Sequence, residues 1–500
     1  MRMLENPQMQ LGKVDISKIK FDLKSRDELP QVLRGLQHIY VTPSIRQEIF
    51  TLLEKNISPH VDKMNGRPGM ELWKILVLGV VRLDLNWNYD RLHNEVNNHR
   101  KIREMLGHSD FFTDDYQYNL QTLKDNVSLL TPELLDEINQ VVVRAGHVIL
   151  KKKENEALHG RCDSFVVETN VHFPTDINLL LDAMRKVITL TAALSKRHQL
   201  SEWRQSTYNM RHIKRLMRSA QNKKRSKAKT EAQKEKREAS LVEAHQIYIT
   251  AAAVYSKKAV STLKKLKIVN MSDALLKEEI ESFICHAERQ INQIERRVIQ
   301  GEKIPHDEKV FSIFEPHTEW IVKGKAGVPV ELGLKVCIQE DQHQFILYHQ
   351  VMQNQTDEQV AISMVEETQK RFPDFKVNSF DKGFHSPNNQ VALSEKLEFL
   401  ALPRKGKLSK KAHAIESSEE FRKARHKHSA VESAINALEN HGLDRCPDLG
   451  ICGFKRYVAL AVVARNLQRV GAILQIQEQK QERRKMNRYY NHDGTDKLAA

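Results

Sequence analysis

Strand-forming sequence falls in two blocks of this chain, and a long stretch of helical periodicity separates them. In the first block, "HGRCDSFVVETNVHFPTD", the run Phe165, Val166, Val167 is aromatic and β-branched, as a strand favours. The second, "KVFSIFEPHTEWIVKGKAGVPVELGLKVCIQEDQHQFILYHQVM", has β-rich pieces punctuated by glycines, Pro316 and Pro329, and reads as consecutive antiparallel strands. Between them, "DINLLLDAMRKVITLTAALSKRH" and "ALLKEEIESFICHAERQINQIERRVIQ" repeat apolar residues at helical spacing, so residues 177–303 predict an antiparallel helical arm. A sheet built from both blocks must admit a large helical insertion after its first strand.

The chain then alternates. The amphipathic helix "DEQVAISMVEETQKRFP" precedes the strand "KVNSFD", a helix around "NNQVALSEKL" and the strand "EFLALP". In "HKHSAVESAINALENHG", Val431, Ala434, Ile435 and Leu438 share a helical face and Gly442 marks the stop, followed by the apolar helix "FKRYVALAVVARNLQRVGAIL". This alternation predicts an α/β layer. Upstream, Leu72, Ile75, Leu76, Gly79 and Val80 share a face, "NWNYD" breaks two helices, and Thr131 with Pro132 opens another. The expected organisation is a weakly patterned, partly extended segment 1–65, an all-helical domain 66–152, a mixed-sheet domain 153–176 plus 304–472, the insertion 177–303 and a basic polar tail 473–500.

Charge narrows the partner. Lys and Arg outnumber Asp and Glu by 79 to 64, a net +15 with a pI near 9.4, which favours a polyanion, nucleic acid ahead of an anionic membrane surface. The stretch "RHIKRLMRSAQNKKRSKAKTEAQKEKREAS" is strongly basic, without aromatics, and suits contact with a nucleic-acid backbone. Short helices bearing Arg91, His99, Arg100, Lys101 and Arg103 are suited to a helix-turn-helix on DNA. The five cysteines form no Cys-x-x-Cys pair, so reduced thiols are expected. No apolar signal core opens the sequence and no run approaches the roughly 18 apolar residues of a membrane span, so a soluble intracellular protein is expected.

Three acids carry the chemistry. Asp163 leads into the first strand, Asp381 ends the strand in "VNSFDKGFHS" and Glu432 begins a helix. Hard cations such as Mg²⁺ take oxygen ligands, and two of them about 3.5 to 4 Å apart serve in-line displacement at phosphorus. Lys382 is expected beside phosphate, Gly383 to turn the chain sharply after Asp381, and Ser386 with Pro387 to start a helix. Glu168, five residues beyond Asp163, is expected on the opposite strand face, and Asp176 as a helix N-cap. Glu395 and Glu398 read as solvent-facing, and Trp203 and Trp320 as packing residues in preference to base-stacking ones.

"CDSFVVETNVHFPTD", "VNSFDKGFHS" and "AVESAINALENHGLDRC", in this order, resemble the catalytic blocks of DDE-type bacterial insertion-sequence transposases. "FSIFEPHTEWIVKGKAGVPVELGLKV" and "YVALAVVARNLQRV" extend the resemblance over about 160–185 and 308–472, and 66–150 is more loosely similar to that family's DNA-binding domain. The resemblance implies a ribonuclease-H-like mixed sheet interrupted by the insertion, with Asp163, Asp381 and Glu432 as metal ligands 218 and 51 residues apart. It implies two Mg²⁺ ions, with Mn²⁺ as substitute, acting on double-stranded DNA. Cleavage at the terminal inverted repeats and strand transfer by a homodimer or larger assembly, cytoplasmic and nucleoid-associated, would follow. Related chains often carry Tyr, Arg and Lys seven before, four before and seven after the catalytic Glu. Here those places hold Arg425, His428 and Glu439, which leaves phosphate contacts to Arg425, Lys427 or His428. The alternatives are a nuclease with the same core but no strand transfer, and a repurposed DNA-binding regulator.

Overall fold

The computed structural model describes residues 3–4, 14–57, 69–108, 116–153, 156–225, 230–322 and 329–496. Residue 66, the expected start of the helical domain, lies outside these residues, as do 226–229 of the basic stretch, 323–328 between the strands and the last four residues. The chain is mixed α/β and divides into two compact units, 1–170 with 321–500, and 171–320.

Within the segment expected to be weakly patterned and partly extended, residues 28–41 and 43–57 are helical. Helices α1 (Glu28–Val41) and α2 (Pro43–Ile57) precede α3 (Leu72–Asp84), α4 (Tyr89–Asn98), α5 (Arg100–Met105), α6 (Leu120–Val127) and α7 (Pro132–Ile149). Asp27 caps α1 by accepting the Leu29 N–H, and Leu29, Val32, Leu33, Leu36 and Ile39 form its buried face. Thr131 caps α7, with Pro132 at its first position. These helices share one apolar core with the sheet that follows.

That sheet is mixed. Strand β1 (Leu158–Thr169) is much longer than the Phe165–Val167 run that signals it. The chain leaves it for the second unit, whose helices are α8 (Asp176–Arg197), α9 (Ser206–Arg225), α10 (Glu231–Lys265) and α11 (Met271–Ile294). It returns through β2 (Glu319–Val322), β3 (Val330–Glu340) and β4 (Ile346–Val351), then α12 (Asp357–Arg371), β5 (Phe375–Phe380), α13 (Pro387–Lys396) and β6 (Phe399–Ala401). The spatial order is β2-β3-β1-β5-β6, with β4 also on β3. β1 is antiparallel to β3 and parallel to β5, and β5 is parallel to β6.

After α14 (Lys410–Glu416), α15 (Glu419–His428) and α16 (Ala430–Leu438), a short β7 (Arg445–Cys446) pairs with the end of β1. Gly442, at φ +100°, ends the helical run, and a side chain there would meet the Tyr457 hydroxyl. The final helix α17 (Gly450–Asp496) is buried on all sides from Tyr457 to Ala464. It is the one described helix long and apolar enough to span a membrane, and 78% of that apolar window is buried inside the protein. The basic polar tail expected at 473–500 is helical as far as Asp496. Gln475 explains part of this, since its amide donates to the carbonyls of Leu23 (3.0 Å) and Ser25 (3.1 Å) and ties the helix to the N-terminal segment.

The second unit has a core of its own, in which Leu180, Met184 and Val187 of α8 join Ile213 of α9, Tyr248 and Ala252 of α10, and Ile280 and Ile284 of α11. Trp203 is one of its packing residues, its indole N–H donating to Thr262 Oγ1 at 3.0 Å. The cap of α8 is Thr175, which accepts the Asn178 N–H; Asp176 is the first helical residue and pairs with Arg297 at 2.5 Å, so the expected Asp176 cap is displaced by one position.

Candidate active site

Sheet register, rather than sequence proximity, gathers the acids. In the parallel ladder Cys162 lies opposite Phe380, so the next residues of the two chains are Asp163 and Asp381. Asp163 is still within the antiparallel ladder to β3, opposite Ile338, and is half-buried; Asp381, just past β5, is exposed. Glu432 comes from α16, where Val431, Ala434 and Leu438 are buried and Glu432 is exposed.

The Asp163 carboxyl is pushed up to about 6, first by burial and then by the negative charges of Asp381, Asp357 and Glu432; the Ser164 N–H, donating at 2.7 Å, opposes the rise. Asp381 and Glu432 therefore both lie within electrostatic reach of Asp163. The three do not form a closed ligand shell: among the described residues no group of three His, Cys, Asp or Glu side chains is positioned to hold a metal ion.

Asp357, the first residue of α12, was not marked by the sequence. Its carboxylate accepts from Ser164 Oγ at 2.7 Å and from Lys335 Nζ at 3.0 Å. A methyl placed on Gly383 would stand 3.4 Å from Asp357 Oδ2 and 3.9 Å from Asp381 Oδ2, so this glycine lies between the two carboxylates. Its role differs from the expected one, because Lys382–Phe384 form a single 3-10 turn without a left-handed residue. Ser386 and Pro387 start α13 as expected. An acid in the first turn of a helix is so ordinary that nothing in the local sequence separates Asp357 from a favourable dipole contact.

His428, the last residue of α15 and four before Glu432, reaches the same face: its Nδ1 is 3.1 Å from the Oγ of Ser379, a β5 residue two before Asp381. Burial takes this imidazole down to about 4, although the Asp381 charge pulls the other way. It is neutral near pH 7, a hydrogen-bonding group without a charge. Arg161, two residues before Asp163 and so on its face, donates from Nη1 to the Lys427 carbonyl at 3.4 Å and pairs with Glu340 at 3.3 Å, holding α15 to the sheet. Burial raises Glu340 to about 7 despite that guanidinium.

Arg425 and Lys427 are exposed on α15 and Lys382 is exposed beside Asp381, so all three can meet a polyanion. A cavity of about 450 Å³ lies next to this face, lined by His159, Arg161, Ser379, His426 and Lys427 among others. The helical residues proposed for DNA fare differently. Arg100 is exposed but paired with Glu104 at 2.9 Å, and Arg103 is buried and donates to the Tyr116 carbonyl at 3.1 Å. Arg103 lies on the inner side of α5 with Ile102 and Met105, which withdraws it from the surface. Glu168 is held by Arg445 at 2.7 Å, away from the acids. No protein-family model, curated protein or solved structure matches this chain.

Proposed function

We propose that this chain is a DNA transposase of the DDE type, with a ribonuclease-H-like core, and that Asp163, Asp381 and Glu432 are its catalytic acids. One observation carries the reading: the β1–β5 register sets Asp163 beside Asp381, 218 residues away in sequence, and the half-buried Asp163 carboxyl, raised first by burial, also feels the charges of Asp381, Asp357 and Glu432. An antiparallel β1, β3, β4 set followed by parallel β5 and β6, with the acids on β1 and at the end of β5, supports the same core.

The chemistry of the donor set suits Mg²⁺, although the three side chains do not close into a ligand shell here. The set is all oxygen, it includes a half-buried carboxyl whose ionisation its neighbours oppose, and two members are exposed to an incoming phosphate. When bound, two such ions supply the positive charge that favours both the attacking and the leaving oxygen at phosphorus. The protein's own part is positional. Asp163 and Asp381 are fixed by the parallel ladder, Glu432 by the buried face of α16, and His428 by Ser379. Lys382, Arg425 and Lys427 offer exposed charge to the DNA backbone. Water would open the phosphodiester at the element's end, and the freed 3′-hydroxyl would then attack target DNA. Positioning and charge suffice for such transfers, so no covalent enzyme intermediate is required.

The test uses DNA carrying the sequences that flank the gene, incubated with Mg²⁺ and either wild-type protein or Asp381→Asn. The expected result is cleavage and joining by the wild type, and DNA binding without cleavage by the variant. Cutting by Asp381→Asn at the wild-type rate removes the assignment, and cleavage without any joined product by the wild type favours a nuclease.

A further inference from the structure

The second unit contains a cleft that the acids do not use. Its volume is about 350 Å³, within the roughly 300–1,000 Å³ typical of small-molecule sites. Three rings form one wall: Phe173 meets Trp320 edge-on at 5.5 Å between centroids, and Phe311 lies 5.6 Å from Trp320 on the other side. Phe173 is 59% exposed despite this contact.

The remainder of the lining sets three bases, Lys224, Arg297 and Lys309, beside one acid, His306 and the uncharged Pro174, Thr175, Gln293 and Val310. Lys224 and Lys309 are exposed at the cleft, and among the described residues neither is in an ion pair. Arg297 also lines it, already bridged to Asp176, which is the one acid there; that carboxylate is thus neutralised and does not oppose an anion. An apolar ligand would leave the lysines unanswered, and a bare inorganic anion would leave the rings unanswered. A planar aromatic group carrying negative charge answers both.

We infer that this cleft binds a single nucleotide, its base against Phe173, Phe311 and Trp320 and its phosphate at Lys224 and Lys309. All lining residues fall between 173 and 320, so the inference does not rest on the catalytic reading of the other unit. The same chemistry is presented by an unpaired nucleotide in a DNA strand and by a free nucleotide.

The experiment separates these sources with the full-length protein. A short single-stranded oligonucleotide containing 2-aminopurine is titrated with protein, since stacking on an aromatic ring quenches that base; AMP is then added as competitor. Quenching is expected in the wild type, with binding weaker by well over tenfold in a Phe173→Ala, Lys309→Glu double variant, because loss of the base stack alone costs about tenfold and the charge reversal at the phosphate adds to it. Both side chains are exposed, so an unchanged melting temperature is expected, and Lys309→Glu alone should weaken binding in the same direction if the double variant folds poorly. Quenching reversed by AMP identifies a free-nucleotide site, and quenching that AMP leaves intact identifies a strand nucleotide. The inference is overturned if neither ligand binds, or if the quenching survives in the variants.

Discussion

Asp163 is the residue at which charge and burial conflict most directly, and the conflict has a measurable sign. Its carboxyl titrates near 6 in the fold against an ordinary 3.8, so folding disfavours the ionised form. The penalty is absent well below pH 4, grows as pH rises toward 6 and is fully present above it, amounting to roughly 2–3 kcal/mol at most. Without divalent cations, Asp163→Asn should therefore melt above the wild type at pH 8, by an order of a few degrees, and converge with it near pH 4. Adding Mg²⁺ at pH 8 should raise the wild type more than the variant. Equal melting curves at both pH values would show that Asp163 does not feel its neighbours. At this scale the sequence singles out Asp163, Asp381 and Glu432 only through the order of the blocks that hold them, and it gives no sign of Asp357. Its partner Lys335 and its neighbour Gly383 lie 22 and 26 residues away, and only the folded sheet brings them beside it. Arg103 shows the converse: a base on a short helix looks available for DNA until the packing of Ile102 and Met105 decides which way its face points.

Elements were legible where caps and periodicity agreed, as at Thr131 of α7, Ser386 of α13 and Gly442 after α16. The miss at α1 is instructive, because Leu29, Val32, Leu33, Leu36 and Ile39 have helical spacing behind an Asp27 cap. What the periodicity could not reveal is the partner. The crossing of α1 with α17 is close enough that a methyl on Gly471 would overlap the Gln31 carbonyl and stand 3.1 Å from the Gly35 amide, and one on Gly35 would overlap the Leu467 carbonyl. Backbone blocks on both sides, so the helices must separate to admit a side chain. Gly471→Ala is expected to destabilise the protein by about 1–3 kcal/mol through overpacking. Gly453→Ala, on the same helix with its nearest neighbour at an ordinary 3.4 Å, should be neutral or slightly stabilising. Thermal melts of the two variants check this, and equal melting temperatures would contradict the close crossing.

For the whole molecule, the insertion was visible as a break between strand blocks, but its effect on charge emerges only once its boundaries are set. Residues 171–320 contain 28 Lys and Arg against 18 Asp and Glu, so this unit holds 10 of the chain's net +15. Helix α9 concentrates that surplus. Ile213, Met217 and Ala220 are buried, while Arg211, Lys214, Arg215 and Arg218, at spacings of three, four and seven, form an exposed basic stripe on the opposite face. A stripe of this kind contacts phosphates in register without reading bases, and its contribution to affinity is counterion release. Replacing Arg211, Arg215 and Arg218 by Gln should lower the slope of log affinity against log salt by about 0.9 per lost phosphate contact, nearly 3 in total if each arginine meets one phosphate. Melting temperature should hardly change, because the replaced side chains are exposed and helix propensity is similar. Binding to duplex DNA measured across a salt series reads this directly. A slope identical to the wild type would show that α9 meets no phosphate and leave the role of this unit's surplus charge to another of its faces.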